Sequence, residues 1–473
     1  MRGEIAFAKI TGIADKFVEE VAMDMPLFPS PKRKYARGEH PLVRFFNSGI
    51  GVAMICGVVA LGTLAAIVWA GRVAPPTPPV GTTAETETSV DAPQTEPSSE
   101  SEDQTQAETT PAIEYSTQFD YVFGSGTAEL AGYHGREEVV YTPPIANFWE
   151  ESAPIIKVCN QAFRENTYIK EVYFAEGITE VGNEVFWGCK NLRRVVIPEG
   201  VTSIGCRVFV DCKSLSDVVL PQSLLHIGYD CFENSRLLKD KTLWHDGLFY
   251  IGDILIKADA TQIKGNLVIS DTTRVIAGSA FDGNKELTHV TIPGHVQAVG
   301  MYAFQNCANL STLTIGEGVL YLDYGAFNQC KRLESVVIPE SVISLGDSVF
   351  AECSSLKSVT IPQSITRLER HAFYGCESLE SITLPDGLTY IGDEALAGTA
   401  LTSVTIPASV QYLGYNVFSG CVNLKKVHFE GTQEEFKAIE KGYEAYYGYS
   451  WRSGTEIMSV VCSDGVIKFQ YAP

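Results

Sequence analysis

From Leu287 to Leu424 the chain writes one phrase six times. LESVVIPESVISLGDSVFAECSS is followed by LKSVTIPQSITRLERHAFYGCES, and the other four copies keep the same skeleton. A marker side chain recurs as Phe304, Phe327, Phe350, Phe373, Leu396 and Phe418, at intervals of 23 residues with 22 for the last. An interval this constant excludes an ordinary globule. Each unit is too small to bury its own apolar side chains, so the units must stack as coils that share one core.

Counting each coil from its first Leu, positions 1, 4 and 6 are aliphatic, as in Leu333, Val336 and Ile338. The 4 and 6 pair with small or polar neighbours has a period of two, which predicts a half-buried strand. Proline at position 7 (Pro293, Pro339, Pro362, Pro385, Pro407) lacks an N–H and ends it. Positions 10 and 13 return to the core. A Gly at position 14 (Gly300, Gly346, Gly392, Gly414) predicts a tight corner with an unusual backbone angle. Positions 17, 18 and 21 point small, aromatic and Cys side chains inward.

Upstream, Phe163, Phe186, Phe209 and Phe232 carry the same 23-residue marker, and the next, Phe281, stands 49 residues on. The surplus falls around 238–263, where LFYIGDILIKA predicts a hairpin turning at Gly252-Asp253. Leu130, Tyr133, Val139, Val140 and Tyr141 predict a degenerate first coil. After Leu424, GTQEEFKAIEKG predicts a short helix, the Tyr443 to Trp451 aromatics predict cap packing, and SVVCSDGVIKF predicts a closing hairpin about Asp464-Gly465.

The segments before the coils differ in kind. Gly49 to Gly71 carries no charge, is long enough to cross a bilayer and ends near Trp69, which predicts an uncleaved transmembrane helix. Lys32, Arg33, Lys34, Arg37 and Arg44 precede it, and past Arg72 no basic residue follows for over forty positions. The positive-inside rule then puts the N-terminus in the cytoplasm and the coils outside. The stretch before the span reads as an amphipathic helix to about Met23 and a basic run, either a plain docking element or a contact for a cytoplasmic partner or anionic lipid. The stretch after it is Pro, Thr, Ser and Glu rich, lacks apolar content and predicts a disordered, extended stalk. The expected organisation is a head (1–47), a span (48–71), a stalk (72–116), a mainly β solenoid (117–430) and a C-terminal cap (431–473).

The unit L-x-x-V-x-I-P-x-x-V-x-x-I-G-x-x-A-F-x-x-C, carried closely by Ser358-Val359-Thr360-Ile361-Pro362 and by Ala372-Phe373 through Cys376, resembles the leucine-rich repeat of BspA-like bacterial surface proteins. The resemblance covers roughly residues 120–473 and implies a leucine-rich repeat solenoid. It further implies surface display, with adhesion to host proteins or other cells among the roles of such proteins.

The chemistry in the sequence is that of a binding module. Net charge is −21, from 36 basic and 57 acidic residues, which argues against a nucleic-acid partner. No metalloprotease, nucleophile-elbow, P-loop or calcium-loop spacing occurs, and no cofactor or catalytic residue is expected. His289, His295 and His371 fall at non-equivalent solvent positions. Cys189, Cys212, Cys307, Cys330, Cys353, Cys376 and Cys421 recur at position 21. In-register Cβ atoms about 4.8 Å apart lie farther than a disulfide prefers, so these read as buried, reduced fillers. The candidate ligand-binding face is the outward strand ladder at positions 3 and 5. It comprises His289, Thr291, Thr312, Thr314, Ser335, Ser358, Thr360, Ser381, Thr383, Ser403 and Thr405, with Val337 beside Ser335. Exposed Thr is also simply good strand chemistry. A secondary aromatic set is Tyr302, Tyr321, Tyr324, Tyr374, Tyr390, Tyr412 and Tyr415. The expected function is a membrane-anchored display protein that binds an extracellular protein or glycan. The alternative is a transmembrane sensor or assembly factor whose head recruits a cytoplasmic partner, and deletion of residues 1–31 separates the two.

Overall fold

The structure, a computed structural model, describes residues 118–148, 151–442, 452, 457 and 459–469. All lie in one compact unit, Ala112–Pro473. The head, span and stalk, and the Tyr443 to Trp451 cluster, fall outside the described residues. Among the described residues no helix is long and apolar enough to cross a membrane.

Most coils give two short parallel strands, at positions 3–5 and 12–13, although the coil that begins at Leu379 has only the second. At positions 3–5, Val139–Tyr141, Glu171–Tyr173, Arg194–Val196 and Asp217–Val219 pair in register. The later coils continue with Leu287–Ile292, Thr312–Ile315, Ser335–Val337 and Ser358–Thr360. Positions 12–13 form a return ladder that includes Ser203–Ile204, His226–Ile227, Ala298–Val299 and Tyr321–Leu322. The third side has no strands, yet its backbone is laddered too: Phe186 N–H donates to Val208 C=O (2.9 Å) and Phe304 N–H to Ala326 C=O (2.8 Å).

That third side corrects the expectation for the corner glycines. Gly300, Gly346, Gly392 and Gly414 do not have positive φ. They are needed for space, since a Cβ on Gly346 lies 2.4 Å from the Tyr324 nitrogen of the coil below. The left-handed residues come two and six positions later. Glu184, Arg207, Ser348, His371 and Glu394 (φ 53–60°) hold position 16, and Asp211, Asn306, Gln329 and Glu352 (φ 55–59°) hold position 20. Each costs about 1–2 kcal/mol, offset by the coil-to-coil hydrogen bonds that the corner makes possible.

The marker phenylalanines are fully buried. Phe163, Phe186, Phe209 and Phe232 stack with ring centroids 5.2, 5.6 and 5.0 Å apart. Phe281, Phe304, Phe327, Phe350 and Phe373 stack at 4.7, 5.4, 5.4 and 5.8 Å. The column is not continuous. It breaks between Phe232 and Phe281, and the buried side chains sort into two clusters. The break holds a helical turn, Arg236–Lys239, capped by Ser235, and a 3-10 turn, Lys241–Leu243. The antiparallel hairpin Leu248–Ile251/Ile254–Ala258 follows, turning at Gly252 (φ 60°). Its second strand pairs with Val275–Ile276 and starts the second array of coils.

The two arrays meet at a bend. In a straight stack the outward return positions Val275, Ala298 and Tyr321 face solvent. Here they are 0%, 0% and 7% exposed and belong to the first array's cluster. The last coil of the first array therefore lies across the back of the second. His226 packs edge-on against Tyr321 (5.0 Å), and Tyr229 against Tyr302 (5.8 Å).

The far end is closed. Gln433–Ala438 is a helix with a Thr432/Glu435 capping box, and its Phe436 is buried. Ser459–Cys462 and Gly465–Lys468 form the terminal hairpin on the last strand.

Candidate functional site

The strand face of the second array rests on alternate side chains that enter the core, Val290, Leu313, Val336, Val359, Ile382 and Val404. Their outward neighbours His289, Thr312, Thr314, Ser335, Ser358, Thr360, Ser381, Thr383, Ser403 and Thr405 are exposed, and Thr291 is half-buried. Where the strands pair, register stacks like on like: Thr291 over Thr314, and Ser335 over Ser358. Val337, 65% exposed, is the one apolar interruption. From Thr291 to Thr405 these two columns carry no charge, so the face offers hydroxyl donors and acceptors on a rigid, regular lattice.

The first array presents a different strand face, which the sequence reading missed. Its position 5 column is Tyr141, Tyr173, Val196 and Val219, with Tyr141 and Tyr173 stacked at 4.8 Å and 14°. Beside it run Glu171, Arg194 and Asp217, the last two ion-paired. The signal lies in V-V-Y and E-V-Y, whose period of two places Tyr141 and Tyr173 on the outward side.

The secondary aromatics divide. Tyr302 meets Tyr229 and Tyr324, the latter at 5.0 Å, and Tyr321 is buried against His226. Tyr321 is thus internal packing at the bend rather than a binding residue, whereas Tyr302 and Tyr324 stay half-buried. Tyr390 and Tyr412 lie beyond the bend and stack on each other (4.7 Å, 7°), with Arg367 over Tyr390 at 3.7 Å. Tyr415 is half-buried, its N–H donating to Asp393, and Tyr374 is 38% exposed beside His371. His371 itself is less free than its coil position suggests, with Nε2 3.4 Å from Glu394.

The described cysteines are free thiols. At position 21 each donates to the marker residue's carbonyl one coil below: Cys189 to Phe163 (3.0 Å), Cys330 to Phe304 (3.3 Å) and Cys421 to Leu396 (3.2 Å). Where Cys is missing the pattern changes: Thr399 Oγ1 donates to Leu396 of its own coil (2.9 Å), and Asn284 donates to Ile263 of the inserted segment (3.1 Å). Burial pushes Cys189, Cys307 and Cys353 up to about 12. A thiol must ionise to react. Maleimide at pH 7.5 should therefore leave the position 21 cysteines of the folded protein unlabelled and modify them after denaturation. Rapid labelling of the folded chain at Cys330 or Cys353 is the contrary result.

Among the described residues no cluster of His, Cys, Asp and Glu is arranged to hold a metal. No curated protein matches the chain. Among solved structures it is similar to a leucine rich cell surface protein from Faecalibacterium prausnitzii, at 24% identity and TM-score 0.32, over 68% of this chain and 96% of that one. A leucine-rich repeat protein from Bacteroides ovatus gives 22% identity and TM-score 0.27 over 68% and 96%. The pneumococcal vaccine antigen PcpA gives 15% and 0.28 over 75% and 98%. The family model described as BspA type leucine rich repeat region, in six copies, matches residues 148–255, 260–376 and 344–443. With more than half its length so matched, and with the coil geometry above, the chain belongs to the BspA-type leucine-rich repeat family.

Proposed function

We propose that this is a non-catalytic surface protein, anchored by one membrane span with its N-terminus in the cytoplasm, which displays the solenoid outside the cell for adhesion-type binding of a protein or glycan. The observation that supports this reading best is the two-column hydroxyl face running from Thr291 to Thr405, outward and uncharged. A catalytic centre concentrates unlike groups in a pocket, whereas this face repeats like groups over many coils. It suits a broad, shallow contact in which each rung contributes little and the sum gives affinity.

The test is a screen of the purified protein against immobilised matrix proteins, cell-surface proteins and glycans, repeated with Thr314→Lys, Thr360→Lys and Thr383→Lys combined. Charges placed on a desolvated hydroxyl contact should weaken a captured ligand at least about tenfold, roughly 1.4 kcal/mol. If no ligand binds above background, or if the triple variant binds as tightly as the parent, the strand face is not the contact. The anchoring half of the reading is tested apart, by protease accessibility of the coils on intact cells.

A further inference from the structure

We infer that the bend between the two arrays is a pH-responsive joint, closed by the contact of His226 with Asp323 and loosened when that contact weakens. This step does not depend on what the strand face binds.

The geometry carries it. His226 and Asp323 stand 97 residues apart, on coils that a straight stack would keep far from each other, yet Nδ1 lies 2.9 Å from the carboxylate Oδ2. The imidazole and carboxylate are only 25% and 18% exposed. The pair therefore exists only while the arrays are folded against each other, and it is screened less than a surface pair. Among the described residues the neighbouring charges are engaged elsewhere. From the second array, Asp323 holds the ring and Tyr321 meets it edge-on. Arg274 is neutralised by Asp253 (2.9 and 3.1 Å) and gives other N–H groups to the Leu224 and Pro221 carbonyls. In the inserted segment Lys257 is taken by Asp230 at 3.6 Å. Within its own coil Tyr229 turns to Tyr302, and the rung below His226 is the uncharged Ser203. His226 thus bridges the arrays with one counter-charge, Asp323, alongside the contacts of Arg274 with Leu224 and of Lys257 with Asp230.

The sign follows from the partner. Burial opposes charging of the imidazole, but the Asp323 carboxylate, by charge and by hydrogen bond, carries it above its ordinary value. The bridge is thus fully present below the ordinary imidazole value near 6.5 and fades as pH rises through the raised one. The joint is tight in mild acid and looser in alkali, where Val275, Ala298 and Tyr321 lose part of their cover. Opening it changes the angle between the tyrosine-bearing strand face of the first array and the hydroxyl face of the second.

The experiment is a pulsed electron-spin distance measurement on the full-length protein in detergent, with spin-labelled unnatural amino acids at the exposed positions Lys190 and Lys331, at pH 5.5 and pH 8.5. The expected result is one narrow distance at pH 5.5 and a broader, longer distribution at pH 8.5. His226→Gln and Asp323→Asn should each give the broad distribution at both values. Circular dichroism checks that each variant folds, and if one does not, the other decides. A parent distribution unchanged between the two pH values overturns the proposal, as does a pH response that survives in either folded variant.

Discussion

Phe327→Ala should lower the stability of the second array by about 3–5 kcal/mol, the range for emptying a fully buried aromatic site. Phe327 is fully buried between Phe304 and Phe350, each 5.4 Å away, so truncation removes two stacks as well as one side chain. Neither neighbour can move in to fill the space, because the backbone of each is tied to the next coil: Phe304 N–H donates to Ala326 C=O and Phe350 N–H to Ala372 C=O. Phe327→Leu should cost much less, about 1–1.5 kcal/mol. The protein makes that substitution itself at Leu396, fully buried at the same place in a later coil. Denaturant unfolding followed by circular dichroism gives the two values. In a stack of nearest-neighbour units the loss should also be local. Hydrogen exchange should quicken in coils from Leu287 to Leu424 and leave amides around Phe186 and Phe209 protected, since those belong to the other core cluster. Equal losses for Ala and Leu, or uniform deprotection of both arrays, would show that the aromatic column is not what holds the coils together.

What was legible in the sequence was whatever the coil period imposes. A residue that must meet its own equivalent 23 positions on is under the same constraint in every coil, so Phe304 through Phe373, Leu333 and Cys376 could be placed from spacing alone. What was not legible belongs to positions the period leaves free. His226, Tyr321 and Asp323 occupy outward places where any polar side chain suits water, and nothing local marks them as the inside of a bend. The length of the inserted segment was visible, but the direction in which the chain leaves it depends on the hairpin strand pairing with Val275–Ile276 while Gly278 N–H still reaches back to Ile227. The left-handed corner residues were hidden for another reason. Glu184, Arg207, Ser348 and His371 share a backbone conformation and no side-chain chemistry. Glycine at position 14 is plain in the sequence, but spacing does not distinguish backbone freedom from the steric role that the coil below imposes.

That distinction can be measured as a difference of sign. If nothing crowded position 346, Gly346→Ala would stabilise the fold by about 0.4–1 kcal/mol through the unfolded chain, because Gly346 does not have a positive φ. The structure requires the opposite. The new Cβ lies 2.4 Å from Tyr324 N and 2.5 Å from Asp323 C, both backbone atoms of the coil below. No side-chain rotation relieves such a contact, so the coils must separate along the return ladder, at a cost of about 3 kcal/mol, the upper end for overpacking. The lane already tolerates side chains at Asp323 and Glu369, each with glycine on the rungs above and below it: Gly300, Gly346 and Gly392. Alanine at 346 would put three Cβ-bearing residues in succession. Gly387 is the matched control, with no positive φ and its nearest neighbour, the Gln363 carbonyl oxygen, 4.0 Å from an added Cβ. Gly387→Ala should be neutral or slightly stabilising. Thermal unfolding of the two variants side by side decides the matter, since a steric lane predicts melting shifts of opposite or sharply unequal size. Two equally mild shifts would show that the coil below yields to a Cβ at position 14 and that the lane does not need glycine for space.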